Sequence, residues 1–197
     1  MPSTALNTWR NERAARITEL LDAHAAVGGM GSGRRIGTTQ LNWSMTLRLA
    51  GEFQGYARDL HDLAVEHLVQ SLAQPGSALA STLRINFAHS RDLDRGNAQP
   101  KSLTNDFRRL GFQLWPALQQ KDQRAPKWNQ SLEALNRARN AIAHAQDQKL
   151  RALATEGYPI QLRTIKTWRS SLNSLARCMD VVVADSLALL LGTRAPW

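Results

Sequence analysis

Arg139-Asn140-Ala141-Ile142-Ala143-His144 places a guanidinium, a side-chain amide and an imidazole within about one and a half turns of helix. An arginine fork binds phosphate oxygens in pairs, and an imidazole exchanges a proton near neutral pH. Together they can break an RNA chain. The imidazole takes the proton of a ribose 2′-hydroxyl, and the guanidinium offsets the charge growing on the phosphate. Such a reaction needs no metal, and the sequence has no cluster of His, Cys and carboxylates at ligand spacing. Neither a metal nor a cofactor is expected.

Spacing alone is a weak signal in a chain with 25 Lys and Arg and five His. A rival match stands at Arg84-Ile85-Asn86-Phe87-Ala88-His89. Context separates the two. The first has an asparagine directly after its arginine and alanines at 138, 141, 143 and 145, so another helix or a nucleotide can approach closely. The rival has Ile85 and Phe87 between its ends and runs into a polar stretch, so its histidine reads as a helix-end residue. On a helix Asn140 and His144 share a face, whereas Arg139 and His144 project about 140° apart, a gap that a long arginine can bridge. The structural alternative is that Arg139 pairs with Glu133 or another carboxylate across the bundle and His144 caps a helix end.

The elements that must hold these residues are helices. Apolar residues recur every three or four positions and no segment alternates as a strand would. A first helix is expected over about Ala5 to Ala26, with Trp9, Arg13, Ile17, Leu20 and Leu21 as an imperfect stripe. A glycine-rich connector comes next, from Gly28 to Gly37, with Arg34 and Arg35 inside it. It lacks the Gly-Lys-Ser/Thr of a phosphate-cradling loop. Thr38 or Thr39 caps a long helix to about Ala73, closed by Pro75-Gly76. Ser77 to Ala88 is a shorter apolar piece, and Ser90 to Pro100 reads as an exposed loop. Ser102 is an expected N-cap, with Pro116 kinking or breaking the helix it opens. A helix from Pro126 carries the motif and continues to Gly157-Tyr158-Pro159. The last helix runs to Gly192. The pattern predicts an all-α fold, an antiparallel up-and-down helical bundle of four main helices plus an N-terminal helix. Residues 1–37 form the N-terminal helix and connector, and 38–197 the bundle.

Net charge is +9, with arginine well ahead of lysine, which suits an acidic polymer. Hydrophobic residues make up 43% and charged residues 21%, an ordinary globular balance. The single cysteine, Cys178, excludes an intramolecular disulfide and reads as buried packing in a reducing compartment, so the expected location is cytoplasmic. The first residues lack a signal-peptide pattern, and the run from Val181 to Leu191 is too short to span a bilayer, so no membrane partner is expected. His61 and His67 are read as one surface and one half-buried histidine. Trp43, Trp115 and Trp168 can stack on bases, but on helical stripes they read first as core.

Taken with its place on the penultimate bundle helix, the Arg-Asn-x3-His motif resembles the signature of the HEPN superfamily. Leu47-Arg-Leu-Ala-Gly-Glu52-Phe-Gln-Gly-Tyr56-Ala-Arg-Asp-Leu60 resembles the Glu- and Tyr-bearing first core helix of its RiboL-PSP-like group, and Phe107 to Trp115 is similar to that group as well. The resemblance covers residues 38 to 192. It implies a four-helix bundle that dimerises through the motif-bearing helices, so that two copies of Arg139 and His144 line one cleft. It implies a metal-independent endoribonuclease of a toxin–antitoxin or anti-phage defence system, with RNA as substrate and an antitoxin protein as a further partner. Arg139 and His144 are then the catalytic pair, joined by Asn140, which orients His144 or the phosphate, and Glu52 and Tyr56 are possible contributors to the cleft. The competing expectations are a non-catalytic HEPN-like module that binds RNA or protein, and a plain helical oligomerisation domain.

Overall fold

The N-terminal apolar positions do not follow one helical stripe, and the chain accommodates them by changing its helical pitch. In the computed structural model, which describes residues 1–28 and 37–197, α1 (Thr4–Thr8) passes through a π-helical turn (Trp9–Arg13) into α2 (Ala14–Gly28). The wider turn rotates α2 relative to α1, so that Trp9 and Ile17 both reach the core while Arg13, midway between them, turns to α3. Ser3 opens the segment: its Oγ accepts from the Leu6 N–H at 3.0 Å and donates to the buried Asp180. The rest of the glycine-rich connector, residues 29–36 with Arg34 and Arg35, lies outside the described residues.

α3 (Thr39–Leu72) is the long helix that its apolar spacing predicts, with Thr38 at its N-cap and Ala73 at its C-cap. α4 (Ala78–Ala88) begins where Ser77 Oγ accepts from the Ala80 N–H at 3.1 Å. Next come α5 (Asp92–Arg95), α6 (Pro100–Arg108), α7 (Leu114–Lys121), α8 (Ala125–Ala143), α9 (Asp147–Thr155) and α10 (Leu162–Leu191). Gly192 ends the last in the left-handed conformation at φ 63°. The fold is all-α, and no strand occurs among the described residues.

The three longest helices, α3, α8 and α10, pack on one another and bury Leu49, Phe53, Leu60, Leu135, Ala138, Trp168, Leu172 and Met179 in one core. Ala5, Leu6, Trp9 and Ile17 join that same core, so the N-terminal residues do not stand apart from the bundle.

Five expectations are corrected. A fourth long helix is absent among the described residues. Its place beside α10 and α8 is taken by α6 and α7, parted at Gly111 (φ 93°) and not at Pro116, which sits in the first turn of α7 where its missing N–H costs nothing. α6 starts at Pro100 with Gln99 as N-cap, three residues before the expected cap at Ser102. The motif helix ends at Ala143, and a separate α9 succeeds it. The segment Ser90 to Pro100 is not an exposed loop: it contains α5 and buries Arg91, Leu93, Asn97 and Ala98. Its polar composition hid this, because two of the side chains it buries, Arg91 and Asn97, are polar groups satisfied by ion pairs and hydrogen bonds.

Candidate functional site

The motif sits where α8 stops. His144 is the C-cap, and its backbone N–H still donates to Asn140 O at 3.1 Å. Ala145 then turns left-handed at φ 50°. The Gln146 N–H reaches back to Ala141 O at 2.8 Å and the Ala145 N–H to Ile142 O at 3.2 Å. This is the Schellman closure, built here on alanine where glycine is usual. It ends the helix beneath His144 and leaves that side chain exposed, with no side-chain hydrogen bond or ion pair among the described residues. The structural alternative is therefore half met, since His144 does occupy a helix end.

The other half is not met. Arg139 is half-buried and forms no ion pair among the described residues, while the neighbouring Arg137 takes the carboxylate of Glu156 with two hydrogen bonds of 2.6 Å. Glu133 makes no ion pair with Arg139. What Arg139 does touch is the next residue: its Nη1 donates to Asn140 Oδ1 at 3.1 Å. The same oxygen accepts from Asn97 Nδ2 at 2.6 Å. Asn97 belongs to the segment between α5 and α6 and is buried. It lies 43 residues from Asn140 in the chain, so no spacing rule joins them, and packing alone brings them together.

That segment is fixed from several sides. Gln54 Nε2 of α3 donates to Leu93 O at 2.8 Å and Gly96 O at 2.6 Å. Asn136 Nδ2 of α8 donates to Ala98 O at 3.0 Å. The Asp106 carboxylate accepts the Asp92 and Leu93 N–H groups at 2.9 and 2.8 Å, capping α5 from a neighbouring helix. Burial nevertheless holds the Asp106 carboxyl above the usual carboxylate range. Arg91 is buried with its guanidinium paired to Asp62 and, through two bonds of 2.9 and 3.0 Å, to Asp94.

Beneath Arg91 lies His61, expected near the surface or half-buried and found fully buried. Arg91 can only donate, so His61 Nδ1, 3.3 Å from Arg91 Nη1, must accept, and Nε2–H then faces Asp106 O at 3.3 Å. Burial first, and the Arg91 charge second, hold this imidazole neutral down to about 4. His67 is half-buried, as expected.

Glu52 and Tyr56 are not brought to the motif. Glu52 and Gln54 are two residues apart on α3 and so project about 200° apart. Gln54 faces the segment that reaches Asn140, and Glu52 faces α2. There Glu52, 4% exposed, is bound by Arg13 at 2.8 Å, Arg48 at 2.9 Å and Arg16 at 3.3 Å, and Arg13 also pairs with Asp59 at 2.8 Å. A groove of about 750 Å³ runs beside this cluster, lined by Arg13, Arg16, Arg48, Glu52, Arg58 and Asp59. Gly55 admits the Arg13 guanidinium, since a Cβ there would stand 2.3 Å from Arg13 Nη1. Tyr56 is fully buried against Trp9 and Phe53, and its hydroxyl donates to Ala176 O at 2.7 Å. Burial, with Asp180 nearby, pushes that hydroxyl well above its usual value. Both residues fasten the bundle together. Trp168 is core as well, and Trp115 is half-buried with Nε1 donating to Pro100 O at 3.0 Å.

The rival match has a different fate. Arg84 is gripped by Glu66, and His89 ends α4, with Arg109 donating to the carbonyl oxygens of His89 and Phe87. Among the described residues, no three His, Cys, Asp or Glu side chains gather as metal ligands, and no helix is long and apolar enough to cross a membrane. No family model, curated protein or solved structure matches this chain.

Proposed function

We propose that the protein is a metal-independent endoribonuclease of a toxin–antitoxin or anti-phage defence system, a HEPN-like domain acting as a homodimer in the cytoplasm. One observation carries this reading. Arg139 keeps a charge that no carboxylate neutralises among the described residues, and it is held by Asn140 one turn before the exposed His144. A guanidinium that is to bind a phosphate must be free of carboxylates, and the rival Arg84 is not.

In this mechanism His144 takes the proton of a ribose 2′-hydroxyl, and the 2′-oxygen attacks the adjacent phosphorus. The phosphorus–5′-oxygen bond breaks, and the partner subunit's His144 returns a proton to the leaving 5′-oxygen. Arg139 offsets the charge that builds on the phosphate. The products are a 2′,3′-cyclic phosphate and a 5′-hydroxyl. DNA lacks the attacking hydroxyl and is not a substrate. One α8 supplies half of the groups, so two copies face each other through these helices, with α6 and α7 together serving as the broken fourth member of each bundle. An antitoxin protein is the expected further partner.

Mass spectrometry of RNA fragments made by the wild-type protein and by Arg139→Ala tests the chemistry. Cyclic phosphate ends that appear with the wild type and vanish with Arg139→Ala support it. A 3′-hydroxyl with a 5′-phosphate at the cut, or unchanged product from the variant, contradicts it. Binding of RNA that survives His144→Ala, with no cut by either protein, supports the non-catalytic module instead.

A further inference from the structure

Arginine has no acceptor, so the Asn140 atom that meets Arg139 Nη1 must be the carbonyl oxygen. Asn97 approaches the same oxygen, so it must do so with its amide N–H. Two donors on one oxygen therefore fix the rotation of both side-chain amides. With Oδ1 turned inward, the Asn140 Nδ2 group is left without a protein partner among the described residues, beside a guanidinium that is likewise free of carboxylates.

We propose that Asn97 is a positioning residue of the site: it locks the Asn140 amide so that Asn140 Nδ2 and the Arg139 guanidinium present one fixed set of donors to the two non-bridging oxygens of a phosphodiester. This rests on the ribonuclease reading for its substrate, but the lock itself does not. Asn97 suits the role because it is buried and its backbone cannot drift. Gln54 holds Gly96 before it and Asn136 holds Ala98 after it. An anchored amide aligns Arg139 without touching substrate. Its loss should then lower the rate at saturating RNA more than it weakens RNA binding, because misplacing a catalytic group acts mainly on the reacting geometry.

Asn97→Leu tests this, since it nearly keeps the shape and removes the donor without placing a carboxylate beside Arg139. Without the Asn97 N–H the Asn140 amide is free to rotate, and Arg139 loses its fixed acceptor. The expected result is a fall of roughly tenfold or more in the single-turnover cleavage rate at saturating RNA, with less than about a threefold change in binding. The melting temperature measured alongside reports folding. An equal loss in binding and rate overturns the proposal.

Relaxation of the Arg139 Nε–H by ¹⁵N NMR reads the lock without any substrate. An ordered group in the wild type that becomes mobile in Asn97→Leu supports the proposal, and unchanged order overturns it whatever the RNA assay gives. If the lock is seen while the wild type cuts no RNA, the positioning role stands and the ribonuclease reading falls.

Discussion

Arg84 closes both arms of its guanidinium on Glu66, Nε to Oε2 and Nη2 to Oε1, each at 2.8 Å. This bond holds the Glu66 carboxyl down at about 2 and leaves Arg84 no fork for a phosphate. Arg139, with the same spacing to a histidine, makes no such pair among the described residues. Arg84→Ala should therefore leave RNA cleavage within about twofold of wild type, while Arg139→Ala should lower it about a hundredfold or more. Matched assays of the two variants check this, and equal effects would remove the distinction between the motifs.

Glu52 and Tyr56 fasten helices and do not face Arg139. Glu52→Gln should destabilise the fold by roughly 1–3 kcal/mol, less than for a fully buried pair because Arg16 and Arg48 stay half-exposed and can turn to water. Tyr56→Phe should cost about 1–2 kcal/mol for its buried hydrogen bond to Ala176 O. Denaturant titration measures both. The cleavage rate per folded molecule should be unchanged in each, and a selective loss of activity at normal stability would place the residue in the site after all.

His61 makes the fold sensitive to acid. Folded, it stays neutral to about 4, whereas the unfolded chain protonates it near 6.5. Between those values the unfolded state binds the extra proton, so stability falls as pH drops through the window and levels off below it. The loss is about 3 kcal/mol. Asp106 and Asp180, both held above the usual carboxylate range by burial, act in the opposite sense. Their contribution is full below about 3.8 and fades as pH rises through their folded values. His61→Gln keeps a donor towards Asp106 O and an acceptor towards Arg91 but cannot titrate. Unfolding free energies at pH 7 and pH 4.5 should fall less in this variant than in wild type, and equal falls would acquit His61.

Ala145 holds φ 50°, a conformation that costs an alanine about 1–2 kcal/mol relative to glycine, partly offset by the greater freedom of glycine in the unfolded chain. Ala145→Gly should raise stability by about 0.5–1 kcal/mol. Thermal melts read this directly. A lower melting temperature would mean that the alanine methyl packs more usefully than its backbone is strained.

Much of the frame was legible in the sequence. Apolar spacing from Met45 to Val69 and from Ile165 to Leu187 specifies α3 and α10, and Gly192 and Pro75-Gly76 mark their ends. What misled was chemistry that spacing does not express. The end of α8 is set by a left-handed alanine, which looks like any other helix former. The segment from Ser90 to Pro100 reads as solvated because Arg91 and Asn97 are polar, yet their partners, Asp62 and His61 for the first and Asn140 for the second, lie on distant helices. Glu52 and Tyr56 share a helix that suits a cleft, but their direction depends on α2 and α10, which the stripe of α3 alone does not reveal. Asn140 stands out because it adjoins Arg139, whereas Asn97 becomes visible only once the chain is folded.

The most direct test of the central claim is the rate at which wild-type protein and His144→Ala cut an RNA oligonucleotide in the presence of EDTA. If Arg139 and His144 form the reactive half-site, the wild type cuts with metal removed, and the variant is slower by about a hundredfold or more while melting at the same temperature. Equal rates for the two proteins, or no cleavage by either, would contradict it.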